Sequence, residues 1–317
     1  MIELLIRIGL WILRQTARLP YPVLAALGDG LGLITWALAK PRREVARINL
    51  ALCFPDLAQA ERRRLERAHF RAFARSFLDR FILWSASADR IRSLCRIEGF
   101  ELFQAQVQAG RSVIVLAPHF VGIDAGGTRL LLDHPRLSSM YARQKSEALN
   151  EAMTAGRSRF QGTMMLRNDG LRPAVRWLRD GGSFYFLPDM DLGARDALFV
   201  PFFGVSAATV TSVARLARLT GAAVMPMVTR LERDGYVSRF YPVWEAYPGD
   251  DLESATRALN AFIEERVREM PEQYLWTHRR FKTRPPGEPS VYDRQTSESA
   301  LNHPAASESA APRGNAR

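Results

Sequence analysis

The chain has 317 residues, 47% hydrophobic and 24% charged, enough to bury a sizeable core in one large domain or two smaller ones. Its 44 Lys and Arg against 33 Asp and Glu leave a net charge of +11, which favours an anionic partner: nucleic acid, an acidic carrier protein, or a membrane surface bearing phosphorylated lipid. Two cysteines, Cys53 and Cys95, are too few for a disulfide framework and lack metal-site spacing, so they read as small core residues of a reducing compartment and nothing argues for secretion.

The amino terminus carries a membrane pattern. Residues 2–13 are almost entirely apolar, broken by Arg7, and are followed by Arg14 and Arg18; a second apolar stretch runs from Tyr21 to Ala39, broken by Asp29 and several glycines. Both are near the lower limit for a span, which needs about 20 apolar residues. No small-residue cleavage site follows the first run, so the reading is an uncleaved anchor over residues 1–40, spanning or lying at the interface. The cluster Lys40, Arg42, Arg43 and Arg47 would then face the cytoplasmic leaflet.

From Arg42 to about Leu83 the pattern is helical and basic, interrupted by "CFPD" at 53–56 because proline disfavours helix in the residue before it. The α/β part begins near residue 97. "SVIVLA" at 112–117 and "SFYFLP" at 183–188 are short apolar runs expected as buried strands, with further strands near 138–142, 222–228 and 236–243. Helices are expected at about 123–132, 147–160, 170–180, 208–219 and 252–269. This alternation predicts an α/β fold with a mostly parallel, mixed sheet flanked by helices, over residues 41–287. The remaining 288–317 is rich in Pro, Ser, Ala and Asn, and is expected to be disordered because it has little apolar surface to offset chain entropy.

The chemistry concentrates in "LAPHFVGIDAGG", residues 116–127. His119 sits just past a strand end, where α/β sheets build sites. Residues five apart on a continuous helix are about 140° out of phase, so His119 and Asp124 meet only if the chain bends, and Gly122 supplies that freedom. An imidazole of near-neutral pKa can accept a hydroxyl proton while an adjacent carboxylate fixes its tautomer. With no Ser or Cys in the motif, direct attack by an acceptor hydroxyl is favoured over an acyl-enzyme. Spacing alone leaves this level with a satisfied histidine and a helix-capping aspartate.

"HFVGID" has the HxxxxD form of the glycerolipid acyltransferases. Together with "FLPDMDLGARDALFVPFFGVSAAT" at 186–209, "RINLALCFPD" at 47–56 and "YLWTHRRFKTRP" at 274–285, it resembles the bacterial lipid A secondary acyltransferases. The resemblance covers the chain to about residue 287. It implies an inner-membrane enzyme working at the cytoplasmic face, moving a fatty acyl chain from acyl carrier protein to a hydroxyl of an acyl chain on a lipid A precursor, such as a Kdo-bearing lipid. His119 would be the general base and Asp124 its orienting partner, with no metal, nucleotide or other cofactor. Arg143, Lys145, Arg159 and Arg167 are candidates for phosphate or sugar-acid binding, each balanced against a solvated surface charge. Asp189 and Asp191 follow a strand and Pro188; no nearby histidine completes a metal set, and they read as bonding a substrate hydroxyl or bracing an arginine, or as a structural turn. Phe199, Val200, Phe202 and Phe203 fit an acyl channel or, more simply, core packing.

Three rival readings compete with this one. A glycerophosphate or lysophospholipid acyltransferase would share His119 and Asp124, but "PDMDLG" and "FVPFFG" favour lipid A. A nucleic-acid-binding protein would explain the charge, yet no such module is recognisable. An inactive membrane scaffold is opposed by the intact His119 and Asp124.

Overall fold

A computed structural model describes residues 1–293. The chain opens with helices α1 (Ile2–Thr16), α2 (Tyr21–Leu38), α3 (Lys40–Cys53), α4 (Gln59–Ser85) and α5 (Ala88–Leu94). The α/β part follows as β1 (Cys95–Glu98), α6 (Phe100–Gln108), β2 (Val113–Leu116), α7 (Ile123–Asp133), β3 (Leu137–Tyr141), α8 (Glu147–Arg157), β4 (Thr163–Leu166), α9 (Arg172–Arg179) and β5 (Ser183–Phe186). It closes with β6 (Ala197–Phe202), β7 (Val205–Val210), α10 (Ser212–Thr220), β8 (Ala223–Leu231), β9 (Tyr236–Phe240) and α11 (Leu252–Glu269).

Seven strands form one sheet in the order β1-β9-β8-β2-β5-β3-β4, parallel at every neighbouring pair except β8 and β9. The α/β class and the mostly parallel mixed sheet are as the sequence predicts. Every residue of β2 and β5 is buried, which is why both read as unbroken apolar runs: helices cover each face of the sheet. Because β2 and β5 are parallel neighbours, the loops leaving their carboxyl ends lie side by side.

Two expectations need correction. The helix placed at 208–219 begins only at Ser212, because residues 205–210 pair antiparallel with β6 in a separate two-stranded hairpin. Its two-residue turn is Phe203–Gly204, both at positive φ (51° and 75°), the conformation that matches hairpin twist. Phenylalanine there hides the turn from a reading that looks for Asn or Asp before Gly. Second, chain beyond residue 287 is packed on the fold. Val291 is buried, and the Tyr292 hydroxyl donates to Asn49 Oδ1 at 2.6 Å and accepts from the Phe281 amide. The rest of the expected disordered tail, from residue 294, lies outside the described residues.

The amino-terminal helices are docked on the domain. α2 is the one described helix long and apolar enough to cross a membrane, with a mean hydropathy of 1.3 over 18 residues. It runs antiparallel along α4. Tyr21 bonds Asp79, Asp29 pairs with Arg71 at 2.8 Å, and the Trp36 indole N–H donates to Glu66 at 2.6 Å. Gly28 and Gly32 make this approach possible. A Cβ on Gly32 would stand 2.5 Å from Arg71 Cα and 2.7 Å from the Phe70 carbonyl oxygen, both backbone atoms that cannot step aside.

Gly32→Ala is therefore expected to cost about 1–3 kcal/mol by overpacking the seam. Gly30→Ala, with nothing within 4 Å of its added methyl, should be neutral or stabilise by up to about 1 kcal/mol through helix propensity. Urea or thermal midpoints of the two variants check the contrast.

Candidate active site

The β2 strand ends at Leu116, and Ala117 and Pro118 carry the chain to His119. The neighbouring β5 ends at Phe186 and delivers Asp189 to the same place. His119 Nδ1 lies 2.7 Å from Asp189 Oδ1, and the His119 backbone amide donates to both carboxylate oxygens at 3.0 and 3.2 Å. Asp189 is 1% exposed. Burial alone would raise its pKa, but the imidazole, the amide and the nearby Arg280 guanidinium outweigh that and hold it below the usual carboxylate range. With Nδ1–H donated to the carboxylate, Nε2 keeps its lone pair and is the nitrogen left for the cleft.

That cleft has a volume of about 740 Å³ and a largely apolar wall. Leu31, Thr35 and Ala39 of α2 and its end form one side, Phe73 and Phe77 of α4 another, and His119, Arg80, Arg42 and His278 are among the polar residues that line it.

Asp124 stands in the first turn of α7 and is taken by other partners. Arg157 of α8 donates to its Oδ1 through Nε (3.0 Å) and Nη2 (2.6 Å); Arg80 of α4 lies 2.7 Å from Oδ2, an ion pair whose angle falls outside hydrogen-bond geometry. Burial would raise the Asp124 pKa; the two guanidiniums reverse this and bring it down to about 2. Among the described residues no hydrogen bond or ion pair joins Asp124 to His119, so the expected His119–Asp124 contact is replaced. The bend after His119 turns Asp124 towards α4 and α8, and the carboxylate on the imidazole comes from the neighbouring strand instead.

Other predicted residues separate. Asp191 is 2% exposed and accepts from the Thr283 amide (2.6 Å), the Thr283 hydroxyl (2.7 Å) and the Gly193 amide (3.0 Å), which makes it a turn brace. Arg159 donates to the carbonyls of Leu83 and Ala86, capping the end of α4. Arg143 and Lys145 are exposed between β3 and α8, and exposed Arg167 follows β4; their side chains make no hydrogen bond or ion pair among the described residues. Val200 and Phe202 are fully buried, and the Phe202 ring packs on Phe203, Tyr274 and Phe281, which makes Phe202 and Phe203 part of the core, while Phe199 is half-buried.

Three residues that sequence reasoning passed over complete the site. Arg80 and Arg157 are ordinary helix arginines in the sequence, with nothing local to separate them from dozens of others. Arg280, 1% exposed, donates to Ala208 O (2.9 Å) and Thr209 Oγ1 (2.8 Å) while lending its charge to Asp189. Its segment also stitches the histidine loop. The Leu275 amide donates to His119 O, and the Val121 amide to Gln273 O. Asn49 holds this segment from behind, donating to Trp276 O (2.8 Å) and His278 O (2.7 Å). His278 Nε2 accepts from the Asp191 amide at 3.0 Å, and burial drives its pKa down to about 4, so it stays neutral.

A half-buried histidine held by a buried aspartate thus stands at the carboxyl edge of a parallel sheet and opens on an apolar cleft. The model of the bacterial lipid A biosynthesis acyltransferase family matches residues 1–283, and the chain belongs to that family. It is 37% identical to the lipid A biosynthesis palmitoleoyltransferase of Escherichia coli K12 over 288 residues, covering 90% of this chain and 93% of that one. The lauroyltransferase and myristoyltransferase of the same organism are 33% and 31% identical, over 90% and 86% of this chain and 94% and 84% of their own.

The Asp124 cage has a measurable signature. A carboxylate lowered to about 2 from an ordinary value near 3.9 adds stability that is fully present above about pH 4 and is lost as pH falls towards 2. Asp124→Asn should cost about 3 kcal/mol at pH 7, where it leaves two guanidiniums without their anion. The deficit should shrink below pH 4 as the wild type loses the same term. Urea denaturation of both proteins at pH 7 and pH 3 checks it.

Proposed function

We propose that this protein transfers a fatty acyl chain from acyl carrier protein to a hydroxyl of an acyl chain on a lipid A precursor, at the cytoplasmic face of the inner membrane. The observation that carries the reading is the His119–Asp189 pair, with Nε2 available to an apolar cleft, in a chain of the lipid A acyltransferase family.

In this mechanism His119 is the general base. Nε2 accepts the proton of the acceptor hydroxyl as its oxygen attacks the thioester carbonyl, and Asp189 fixes the tautomer and stabilises the imidazolium. The carbonyl oxygen becomes an oxyanion that needs a donor, and Arg80, which lines the same cleft as His119, is a guanidinium suited to the task. Collapse of the tetrahedral species expels the thiolate of the carrier, which takes the proton from the imidazolium. Asp124 acts one step back: it holds Arg80 and Arg157 in place, a positioning role in place of contact with the base. The acidic carrier is drawn by the chain's positive charge, and exposed Arg143, Lys145 and Arg167 are available to anionic groups of either substrate.

The test is a radiolabelled lipid A precursor incubated with purified protein and a panel of acyl carrier protein thioesters. Wild type should transfer label; His119→Ala and Asp189→Asn should each lose about 10²–10⁴-fold in kcat while still binding membranes. Full transfer by His119→Ala would sink the mechanism. Turnover of lysophosphatidate with no lipid A precursor accepted would move the enzyme to the glycerolipid branch.

A further inference from the structure

The two amino-terminal helices leave apolar faces that nothing in the described chain covers. On α2 the exposed residues Val23, Leu27, Ile34 and Leu38 share one face, while Leu24, Gly28 and Gly32 are buried on the opposite one. No residue of α1 is buried, and Ile2, Leu5, Ile8, Trp11 and Ile12 are among its exposed side chains. Both helices look like anchors by composition. Their other contacts decide how they anchor.

For α2 to cross a bilayer it would have to leave α4 or take α4 with it. Leaving breaks the glycine seam, the Asp29–Arg71 pair and the Trp36–Glu66 bond, and it removes the wall of the cleft that holds His119, since Leu31, Thr35 and Ala39 line that cleft. Taking α4 along would carry Arg63, Arg64, Arg67, Arg71 and Arg75 into hydrocarbon, at about 2.5–3.5 kcal/mol for each arginine near the centre. α1 is tied down as well. Glu3 accepts from the Ala148 amide (3.2 Å) and the Ser146 hydroxyl (3.0 Å) at the start of α8, and Arg7 pairs with Glu151 at 3.1 Å. Its 15 residues reach only about 22 Å, short of a hydrocarbon core of about 30 Å.

We infer that this protein is monotopic: α1 and α2 lie along the surface of an anionic bilayer with their apolar faces sunk into one leaflet, and neither crosses it. The inference rests on the membrane reading above. Charge complementarity names the occupant. Exposed Arg14 and Arg18 stand at the junction of the two helices and exposed Lys40 just after α2, positions at which a helix lying in the interface meets lipid phosphates. The arrangement also gives α2 two duties. Leu38 faces the leaflet while Thr35 and Ala39 face the cleft, so an acyl chain passes from bilayer to His119 around the side of a single helix.

The test is cysteine labelling in sealed inner-membrane vesicles with a membrane-impermeant maleimide. Native Cys53 and Cys95 are buried, which keeps the wild-type background low. Four sites are probed one at a time: a cysteine inserted directly after Met1, Pro20→Cys between the helices, Pro41→Cys after α2, and Arg111→Cys on an exposed turn of the α/β domain as the reference for its side. All four should label from the same face, without detergent. An inserted Met1 cysteine or Pro20→Cys that labels only from the opposite face, or only after detergent, puts a helix across the bilayer and overturns the inference. Recovery of the unmodified protein in the soluble fraction would instead overturn the membrane reading on which it rests.

Discussion

A carboxylate with almost no access to water must be compensated on every oxygen, and Asp189 is the group around which this molecule is organised. Its compensation comes from the histidine loop on one side and from Arg280 beneath. Satisfying it fixes the turn after β2, aims Nε2 outward, and recruits the carboxy-terminal segment that carries Arg280. An apolar residue at 189 would leave the His119 amide without an acceptor and free the imidazole to rotate. Stability and chemistry therefore draw on the same contacts.

The second carboxylate shows a different use of the same physics. Asp124 is shared by guanidiniums from α4 and α8 and itself belongs to α7, so one anion joins three helices that the chain sequence keeps apart. A buried ion pair is weak support for stability but costly to break from one side only, and here the cost falls on the geometry of an arginine at the mouth of the site. The two acids are thus divided between holding the imidazole and holding the guanidiniums.

Much of this was legible in the sequence, unevenly. The runs 112–117 and 183–188 announced buried strands because nothing but apolar or β-branched side chains fits between two layers of helices. His119 was visible from its place after a strand, and the α/β class from the alternation of periods. The carboxylate partner was not, because strand order is set by long-range pairing: that β5 lies beside β2, 70 residues away, cannot be read from the spacing of five that drew attention to Asp124. Asp189 stands out after a strand and Pro188, but in the sequence it reads as bonding a substrate hydroxyl, bracing an arginine or shaping a turn. The arginines of consequence, 80, 157 and 280, differ from the solvated ones only in what packs against them. The hairpin at 197–210 was missed for a local reason, a phenylalanine in a left-handed conformation where Asn is customary.

Asn49 bonds to carbonyls 227 and 229 residues further along the chain, and the segment it holds is the one laced to His119. The cleft wall, the histidine loop and its brace are therefore synthesised at three widely separated times. While the chain is being made, α1 and α2 are available to lipid long before residues 273–283 exist to close the histidine loop. On the proposed function, attachment precedes competence. A nascent or prematurely terminated chain would then sit among its substrates without reacting, and activity would switch on only when the last quarter of the fold arrives, a consequence of high contact order around His119.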